Sequence, residues 1–150
     1  MLLSILLLAQ AATNPLDVTG IWYTDGQESQ VEISETETGS VRGEIIWYLG
    51  HEDDVVFDEK NPDPDARDEE ILGLPILEGF QRGDDKWRKG EIYDPTSGKT
   101  YRSAIYRIDA ETLGVQGCVG FICRELKWQR VPSSEVMRID RAPITATAER

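Results

Sequence analysis

Histidine and cysteine, two residue types that often carry catalysis, are scarce in this chain. The 150 residues include one histidine, His51, and two cysteines. A Ser-His-Asp or Cys-His relay would have to include His51, which stands in the acidic stretch GHEDD. No serine stands on an elbow-like turn, and the cysteines are better explained by a disulfide. We therefore interpret His51 as a solvated loop residue and assign no catalytic residue, which makes a hydrolase the least favoured class of function.

Basic residues are also few. Lysine and arginine number 16 against 28 aspartate and glutamate residues, which gives a formal net charge of −12. Proteins that bind nucleic acids or anionic membranes present clustered Lys and Arg, so this composition argues against both kinds of partner. Because the acidic residues are spread along the chain, their simplest role is solubility.

The glycines of a phosphate-binding loop are missing as well. The stretch YDPTSGKTY, from Tyr93 to Tyr101, ends in the Gly-Lys-Thr that closes such a loop, but the position five residues before Gly98 is Tyr93. Pro95 also removes a backbone donor that the loop would need. The stretch is instead typical of a strand, a turn and a returning strand, and we expect no nucleotide cofactor.

Long apolar runs are absent except at the N-terminus. Leu2 to Leu8 form one, and the small-x-small pattern Ala9-Gln10-Ala11 of a signal-peptidase site follows. The run is too short to span a bilayer. No Lys or Arg precedes it, which leaves open a start codon placed downstream of the true one; a buried apolar first segment is the other alternative. We predict a signal peptide over 1–11, a linker over 12–18, and export to the bacterial periplasm or medium.

Turn residues, in contrast, are abundant and regularly spaced. The segments between them are rich in Trp, Tyr, Ile and Val, as in an all-β sandwich or barrel. Six of the seven connections are short enough for hairpins, so the strands form a meander that can close on itself. We predict a single all-β domain over 19–131, an eight-stranded antiparallel up-and-down barrel. The predicted strands are Thr19–Thr24, Ser29–Glu35, Val41–Tyr48, Leu74–Gln81, Lys86–Tyr93, Lys99–Ile108, Thr112–Cys118 and Cys123–Val131.

One connection, between the third and fourth predicted strands, is long. Within it, Asp63 can cap one short acidic helix that runs from Pro64 to Glu70, with Gly73 beyond its end. Calcium is the functional alternative, because oxygen ligands on a loop suit that ion, although the run lacks the glycine and the terminal glutamate of an EF-hand. We favour the capped helix and assign no metal. The candidate calcium ligands are Asp58, Asn61, Asp63 and Asp65.

The chain after Val131 has two prolines and no strong periodicity. We predict a tail over 132–150 that is mobile. Val136, Met137 and Ile139 are the residues in it that could dock on the barrel.

The two cysteines flank a predicted hairpin turn. Four residues separate Cys118 from Cys123, so the turn would place their Cβ atoms opposite each other across two strands. We predict a disulfide that fixes the register of this hairpin in an oxidising compartment. A metal pair is the alternative, but it lacks further cysteines or a nearby histidine.

Six motifs follow one another between residues 19 and 131. They are Gly20-Ile21-Trp22; Gly43-Glu44-Ile45-Ile46-Trp47; Asn61-Pro62-Asp63-Pro64 with Arg67; Gly73-Leu74-Pro75-Ile76-Leu77; Gly90-Glu91-Ile92-Tyr93-Asp94-Pro95 with Gly98-Lys99-Thr100-Tyr101; and Gly117-Cys118 with Cys123-Arg124 and Trp128. Together they resemble a bacterial family of exported proteins, domain of unknown function 2147. The resemblance implies a calycin barrel, which is the lipocalin class of fold, and it carries no established biochemical activity. Many relatives have an additional cysteine where this chain has Ser40-Val41-Arg42, so no second disulfide is expected.

The first and last strands also look like those of lipocalins, in which a first-strand Trp packs under a cation from the last strand at the floor of the barrel. Gly20-x-Trp22 opens the first predicted strand, and Leu126, Trp128 and Arg130 share one face of the last. We expect Arg130 to stack on Trp22 as a structural contact worth about 2 kcal/mol when desolvated.

Aromatic residues on the predicted strands favour a binding function. A closed eight-stranded barrel is either packed with side chains or able to hold one small ligand. An aromatic wall suits an apolar or amphipathic ligand, which Glu44, Arg102 and Arg107 could orient. Rings that fill the barrel completely are the alternative. The predicted ligand-lining residues are Trp47, Phe80, Trp87, Tyr93, Tyr101, Tyr106 and Trp128, and Tyr48 is a further strand aromatic.

The sequence therefore predicts an exported, monomeric, lipocalin-like barrel that binds a small hydrophobic or amphipathic ligand without catalysis, cofactor or metal. The alternative is an envelope protein that docks a partner protein through the acidic loop. Paired carboxylates such as Asp53 and Asp54 would suit a glycosidase only if a fold held them about 5 to 9.5 Å apart across a cleft. The loop motif of the docking alternative is Asn61, Pro62, Asp63, Pro64 and Arg67.

Overall fold

The computed structural model describes residues 12–146, so the predicted signal peptide over 1–11 lies outside the described residues. Nine β-strands and three short 3-10 turns make up the regular structure of this part of the chain. No helix within it is long and apolar enough to cross a membrane. The strands are β1 Gly20–Tyr23, β2 Ser29–Glu35, β3 Val41–Tyr48, β4 Pro75–Glu78, β5 Gln81–Arg82, β6 Trp87–Asp94, β7 Lys99–Asp109, β8 Thr112–Val119 and β9 Ile122–Arg130, and the turns are Asp25–Gln27, Pro64–Ala66 and Ser133–Glu135.

Eight of these strands form a closed antiparallel ring. Sequence neighbours pair from β1 to β4 and from β6 to β9, while β4 pairs with β6 and β9 pairs with β1. The closure confirms the predicted eight-stranded up-and-down barrel. The predicted fourth strand, Leu74–Gln81, is divided in two, because Gly79 adopts a φ of 76°, a left-handed conformation that ends β4. The two-residue β5 that follows pairs with β6.

Alternation along each strand turns one face into the barrel. In β7, Ser103 and Ile105 are buried, whereas Arg102 is exposed. Ile105 pairs with Val115 of β8, so apolar side chains of adjacent strands meet in one layer. The buried core consists of Val18, Trp22, Val31, Ile33, Val41, Ile45, Tyr48, Ile71, Leu72, Ile76, Leu77, Phe80, Trp87, Ile105, Leu113, Val115 and Trp128.

The segment before β1 closes one end of the barrel. The carbonyl of fully buried Val18 accepts a hydrogen bond from Trp22 Nε1 at 3.0 Å. The cation above the indole ring of Trp22 belongs to Arg107 of β7, whose guanidinium carbon lies 5.7 Å from the ring centre. Arg130 faces Trp22 in the β1–β9 register, but its side chain is exposed. The cation is therefore Arg107 rather than the expected Arg130, because Asp17 and the β7–β8 turn hold the Arg107 guanidinium in that position.

Residues 132–146, which we call the C-terminal segment, cross the outside of the barrel. Gln30 of β2 points outward and is nevertheless fully buried beneath this segment. Its Nε2 donates to the Glu135 carbonyl at 2.9 Å, and its Oε1 accepts from the Met137 N–H at 2.9 Å. The side-chain amide of Gln30 thus holds the segment against β2.

The C-terminal segment continues over β3 and the long loop. The N–H of Ile139 donates to the Ile46 carbonyl at 2.9 Å. Farther on, Arg141 pairs with buried Glu70 at 2.6 Å. The C-terminal segment was expected to be mobile, but its described residues are docked on the barrel. The bonds above hold it there, because they satisfy polar groups of the barrel and the long loop that are buried.

The long loop spans residues 49–74 and contains no two-turn helix. Asp63 caps as predicted, since its Oδ1 accepts from the Asp65 N–H at 3.0 Å, but the helix is a single 3-10 turn over Pro64–Ala66. It stops there because the Glu70 N–H donates instead to the carbonyl of Ile144 in the C-terminal segment, at 2.9 Å. The expected acidic helix is thus shortened by competition from a tertiary contact.

Candidate functional site

A cavity of about 830 Å³ occupies one end of the barrel. Residues from the β1–β2, β3–β4 and β6–β7 connections border it, together with Gly117 and Arg124 beside the β8–β9 hairpin. It therefore lies at the end opposite to the floor formed by Trp22 and Arg107. We call this end of the barrel the open end.

Inward-facing aliphatic side chains form most of the cavity wall. Ile45, Ile92, Val115 and Leu126 come from four different strands of the ring. Val115 and Leu126 are direct register partners in β8 and β9, so their side chains lie side by side on the inner face. Ile71 of the long loop and Ile76 of β4 extend the wall.

Three of the seven predicted ligand-lining aromatics lie on the cavity wall: Tyr93, Tyr101 and Trp128. Tyr101 follows the inward alternation of β7, and Trp128 follows that of β9, where it is buried. Tyr48, a further strand aromatic, also lies on the wall. Four rings are therefore available at this site, from β3, β6, β7 and β9.

Two of the other predicted aromatics fill the closed part of the barrel. Phe80 is buried against Gly90, where a Cβ atom would come within 2.3 Å of the Phe80 ring. Trp87 is buried as well and donates from Nε1 to the Leu16 carbonyl at 2.9 Å. These two rings are core residues, so neither lines the cavity.

The remaining two face outward. Trp47 is the register partner of Gln30 and is buried on the outer face of β3, on the side that the C-terminal segment crosses. Tyr106 lies between inward-facing Ile105 and Arg107, and its ring covers Gly114 on the outside of β8. Both are therefore structural residues outside the cavity.

A buried polar network supports the wall at Tyr48. The Tyr48 hydroxyl donates to Glu70 Oε1 at 2.8 Å, and Arg141 donates to both Glu70 carboxylate oxygens, at 2.6 and 2.8 Å. Burial and the Glu70 carboxylate raise the pKa of Tyr48. Burial opposes ionisation of Glu70, but the hydrogen bonds from Arg141, Ile144 and Tyr48 outweigh it and lower the pKa of Glu70. Glu70 is therefore an anion whose charge Arg141 balances.

A second network holds Tyr93. Its hydroxyl donates to Asp58 Oδ1 at 2.6 Å, and the other carboxylate oxygen of Asp58 accepts from Asn61 Nδ2 at 2.7 Å. Burial and the Asp58 carboxylate raise the pKa of Tyr93. Asp58 is 1% exposed, so this candidate calcium ligand acts as the acceptor that fixes Tyr93 and the loop.

The other loop residues with possible functional roles are engaged in local contacts. Asn61 Oδ1 accepts from the Asp63 N–H at 2.9 Å, and the Asn61 carbonyl accepts from Arg67 Nε at 2.7 Å. Within residues 12–146, no three His, Cys, Asp or Glu side chains gather closely enough to hold a metal ion. His51 packs edge-on against the Trp47 and Tyr48 rings, at centroid distances of 6.5 and 5.9 Å.

One buried donor of a cavity-lining residue lacks a partner. The indole N–H of Trp128 is buried and makes no hydrogen bond to any described residue. The same holds for the hydroxyl of Ser103, which is 5% exposed on the inner face of β7. Buried donors of this kind are costly unless something accepts from them.

Charged residues ring the mouth of the cavity. Asp25, Glu28 and Asp94 contribute carboxylates, and Arg124 contributes a guanidinium. Burial works against the charge of Asp94, but hydrogen bonds from Thr96 and others outweigh it and lower the pKa of Asp94. Of the charges predicted to orient a ligand, Glu44 pairs with Arg42 at 3.4 Å on the outside, Arg102 is exposed, and Arg107 belongs to the floor.

Sequence reasoning missed Arg124 and most of the aliphatic wall. Arg124 shares the inner face of β9 with Leu126 and Trp128, which the sequence had already placed on one face, so the same alternation could have found it. Ile71 carried no such signal, because it reaches the cavity from an irregular loop.

The β8–β9 hairpin next to Arg124 carries the predicted disulfide. Cys118 and Cys123 are register partners with Cα atoms 4.0 Å apart, and their sulfurs are bonded. The disulfide prediction is confirmed.

Comparison with known proteins agrees with this architecture. A family model described as "Uncharacterized protein conserved in bacteria (DUF2147)" matches residues 20–130. A solved structure described as "Protein HP1028 from the human pathogen Helicobacter pylori belongs to the lipocalin family" is 23% identical, with a TM-score of 0.68, over 80% of this chain and 86% of that one. At this identity the likeness shows the fold alone. No curated protein matches the chain. Because the family model covers most of the sequence, the protein belongs to the bacterial family DUF2147.

Proposed function

We propose that this protein is an exported bacterial binding protein whose barrel holds one small hydrophobic or amphipathic ligand without acting on it chemically. The cavity carries this proposal. Its volume of about 830 Å³ lies within the range of about 300 to 1,000 Å³ found for ligand sites, and its wall is mainly aliphatic and aromatic. The lipocalin-like fold supports the proposal only by analogy.

The distribution of polar groups favours an amphipathic ligand over a plain hydrocarbon. Charged residues stand at the mouth, whereas Ile45, Val115 and Leu126 form the wall. A ligand with an apolar body and a polar or charged end at the mouth therefore matches this site.

Two observations support export. The Cys118–Cys123 bond is a feature of proteins in oxidising compartments, and the family is bacterial. Both suit a protein of the periplasm or the medium.

The alternative of docking through the Asn61 to Arg67 motif has less support. Asn61, Asp63 and Arg67 direct their polar groups into bonds within the loop. Groups used in this way stabilise the loop and are less available to a partner protein.

The proposal is tested by filling the cavity. Leu126 lies on the wall, while its neighbour Lys127 is exposed on the outer face of the same strand. We expect Leu126→Trp to weaken binding of a fluorescent fatty-acid analogue by roughly tenfold or more, because the larger ring occupies ligand space. Lys127→Trp, which adds the same ring outside, should leave the affinity unchanged within about twofold.

Native mass spectrometry of protein purified from the periplasm, before and after organic extraction, gives an independent measurement. A stoichiometric adduct that extraction removes, and that is absent from the Leu126→Trp protein, would support the carrier. A mass equal to that of the protein alone, together with no binding of the fluorescent analogue, would reject the carrier function. Equal affinity of the Leu126→Trp and Lys127→Trp proteins for the fluorescent analogue would mean that the ligand binds outside the barrel.

A further inference from the structure

The tip of the β8–β9 hairpin exposes an unusual amount of apolar surface. Phe121 is fully exposed, with a relative accessibility of 106%, and its neighbours Ile122 and Val119 are 78% and 65% exposed. Each belongs to a residue type that is normally buried, and together they form a continuous apolar tip. We call residues 118–123 the hairpin tip.

The hairpin tip is held firmly. Val119 pairs with Ile122 directly above the Cys118–Cys123 disulfide, and the β8–β9 ladder continues below it. Arg102 from the neighbouring strand β7 donates to the carbonyl of Gly120 in the turn. The exposed side chains are therefore presented by an ordered, cross-linked element rather than by a frayed chain end.

The hairpin tip also stands beside the mouth of the cavity. Gly117 and Arg124, which flank the disulfide on β8 and β9, both border the cavity. Leu49, a further exposed apolar residue at 67%, borders it from the β3 side. Apolar surface and cavity opening therefore occupy the same end of the molecule, whereas exposed Ile108 lies at the opposite end of β7.

Local charge sets the hairpin tip apart from the rest of this acidic chain. Residues 117–124 contain no Asp or Glu, although the chain has a net charge of −12. Two cations stand directly behind the tip, Arg102 at the Gly120 carbonyl and Arg124 next to Cys123. In a phospholipid leaflet the acyl chains lie beneath the phosphates. The apolar side chains of the tip would contact the acyl chains, and the guanidinium groups behind them would lie at the level of the phosphates.

We infer that the hairpin tip inserts into the surface of a phospholipid bilayer and presents the open end of the barrel to it. A bilayer is favoured over a protein partner because the tip is a single narrow protrusion. A stable protein interface needs about 800 Å² from each partner, which the six residues of the hairpin tip do not offer, whereas fluid lipid closes around a convex tip. The apolar side chains drive insertion, so zwitterionic lipid suffices and the overall negative charge does not oppose it.

Flotation of the protein with phosphatidylcholine vesicles tests this inference without any cavity ligand. We expect the wild type to float with the vesicles and Phe121→Ser with Ile122→Ser to lower the partition coefficient by roughly tenfold or more. The matched control is Ile108→Ser with Met137→Ser, which removes exposed apolar side chains elsewhere and should change partition by less than about twofold.

The Leu126→Trp protein separates this inference from the proposed cavity function. If vesicle binding persists in Leu126→Trp but falls in the tip variant, the hairpin tip is the membrane contact, whatever the cavity holds. Loss of flotation in Leu126→Trp but not in the tip variant would mean that the barrel extracts lipid, and would overturn the inference. Vesicle partition of the tip variant equal to that of the wild type would also overturn it. So would binding that needs anionic lipid and does not depend on Phe121, or a sedimentation result showing that the tip joins two copies of the chain.

Discussion

Arg107 is the side chain that fixes the floor of the barrel. Its Nη2 donates to the Ala110 carbonyl at 2.7 Å, its Nη1 reaches Asp17 Oδ2 at 3.2 Å, and its guanidinium covers Trp22. The side chain is only 9% exposed, so little water can replace these partners. We expect Arg107→Ala to lower the free energy of unfolding by about 2 to 3 kcal/mol, measured by urea denaturation.

Arg130→Ala is the matched control for the Arg107 prediction. Arg130 faces Trp22 across the β1–β9 pair, but its side chain is exposed. Its removal should change the stability by no more than about 0.5 kcal/mol. The reverse ranking of the two variants would restore the sequence-based assignment of Arg130 as the cation over Trp22.

Residue types indicated a binding site, but height along the barrel, strand alternation and one strand irregularity decided which predicted aromatic side chains reach it. The β2–β3 register shifts between Gln30 and Val31, which puts Trp47 outside while Ile45 and Tyr48 stay inside. β6 has a similar irregularity, where Lys89 adopts a φ of 57°. A bulge of this kind moves the side chains of the following residues to the opposite face of the sheet. The local sequence of either strand gives no sign of the bulge.

The Glu70–Arg141 pair joins two elements, the long loop and the C-terminal segment. The pKa of Glu70 is lower in the folded protein than its ordinary value of about 4.3. Its stabilisation is therefore fully present above that ordinary value and is lost as the pH falls through the lower folded pKa. We expect Glu70→Gln to lower the free energy of unfolding at neutral pH by about 2 to 4 kcal/mol, and this deficit to shrink below about pH 4.

Urea midpoints measured from neutral pH down to about pH 3 follow this change for the wild type and Glu70→Gln. Glu59→Gln removes an exposed carboxylate from the same loop and should keep the pH profile of the wild type. A Glu70→Gln deficit that stays constant across the acidic range would show that the charge of Glu70 contributes nothing, and that only its shape matters.

At the scale of elements, local sequence predicted most of the barrel. Turn residues and alternation located every strand of the ring to within a few residues, and Cys118 and Cys123 located the last hairpin. The exceptions have tertiary causes. The helix after Pro64 stops because Glu70 bonds to Ile144, and Ile144 is 74 residues away in sequence. Contacts at such separation leave no periodic signal in either segment.

At the scale of the whole described structure, the segments that flank the barrel contribute to its packing alongside the ring of strands. The segment before β1 supplies Val18 and the carbonyl of Leu16 to the floor. The C-terminal segment buries the outer face of β2 and β3, where Gln30, Ile46 and Trp47 would otherwise face water. The folded structure therefore extends beyond the residues 20–130 that the family model matches.

Removal of the C-terminal segment tests this contribution. A chain that ends at Val131 exposes Ile46 and Trp47 and leaves Glu70 buried without Arg141. Since two large apolar side chains and one buried charge are affected, we expect a loss of about 4 to 6 kcal/mol, a large part of the stability of a typical domain. A synthetic peptide of residues 132–146, added in trans, should restore the midpoint of thermal unfolding, whereas the same peptide with Arg141→Ala should restore less of it. If the truncated chain instead unfolds at the temperature of the full chain, the segment lies on the barrel without stabilising it, and the 20–130 unit is sufficient.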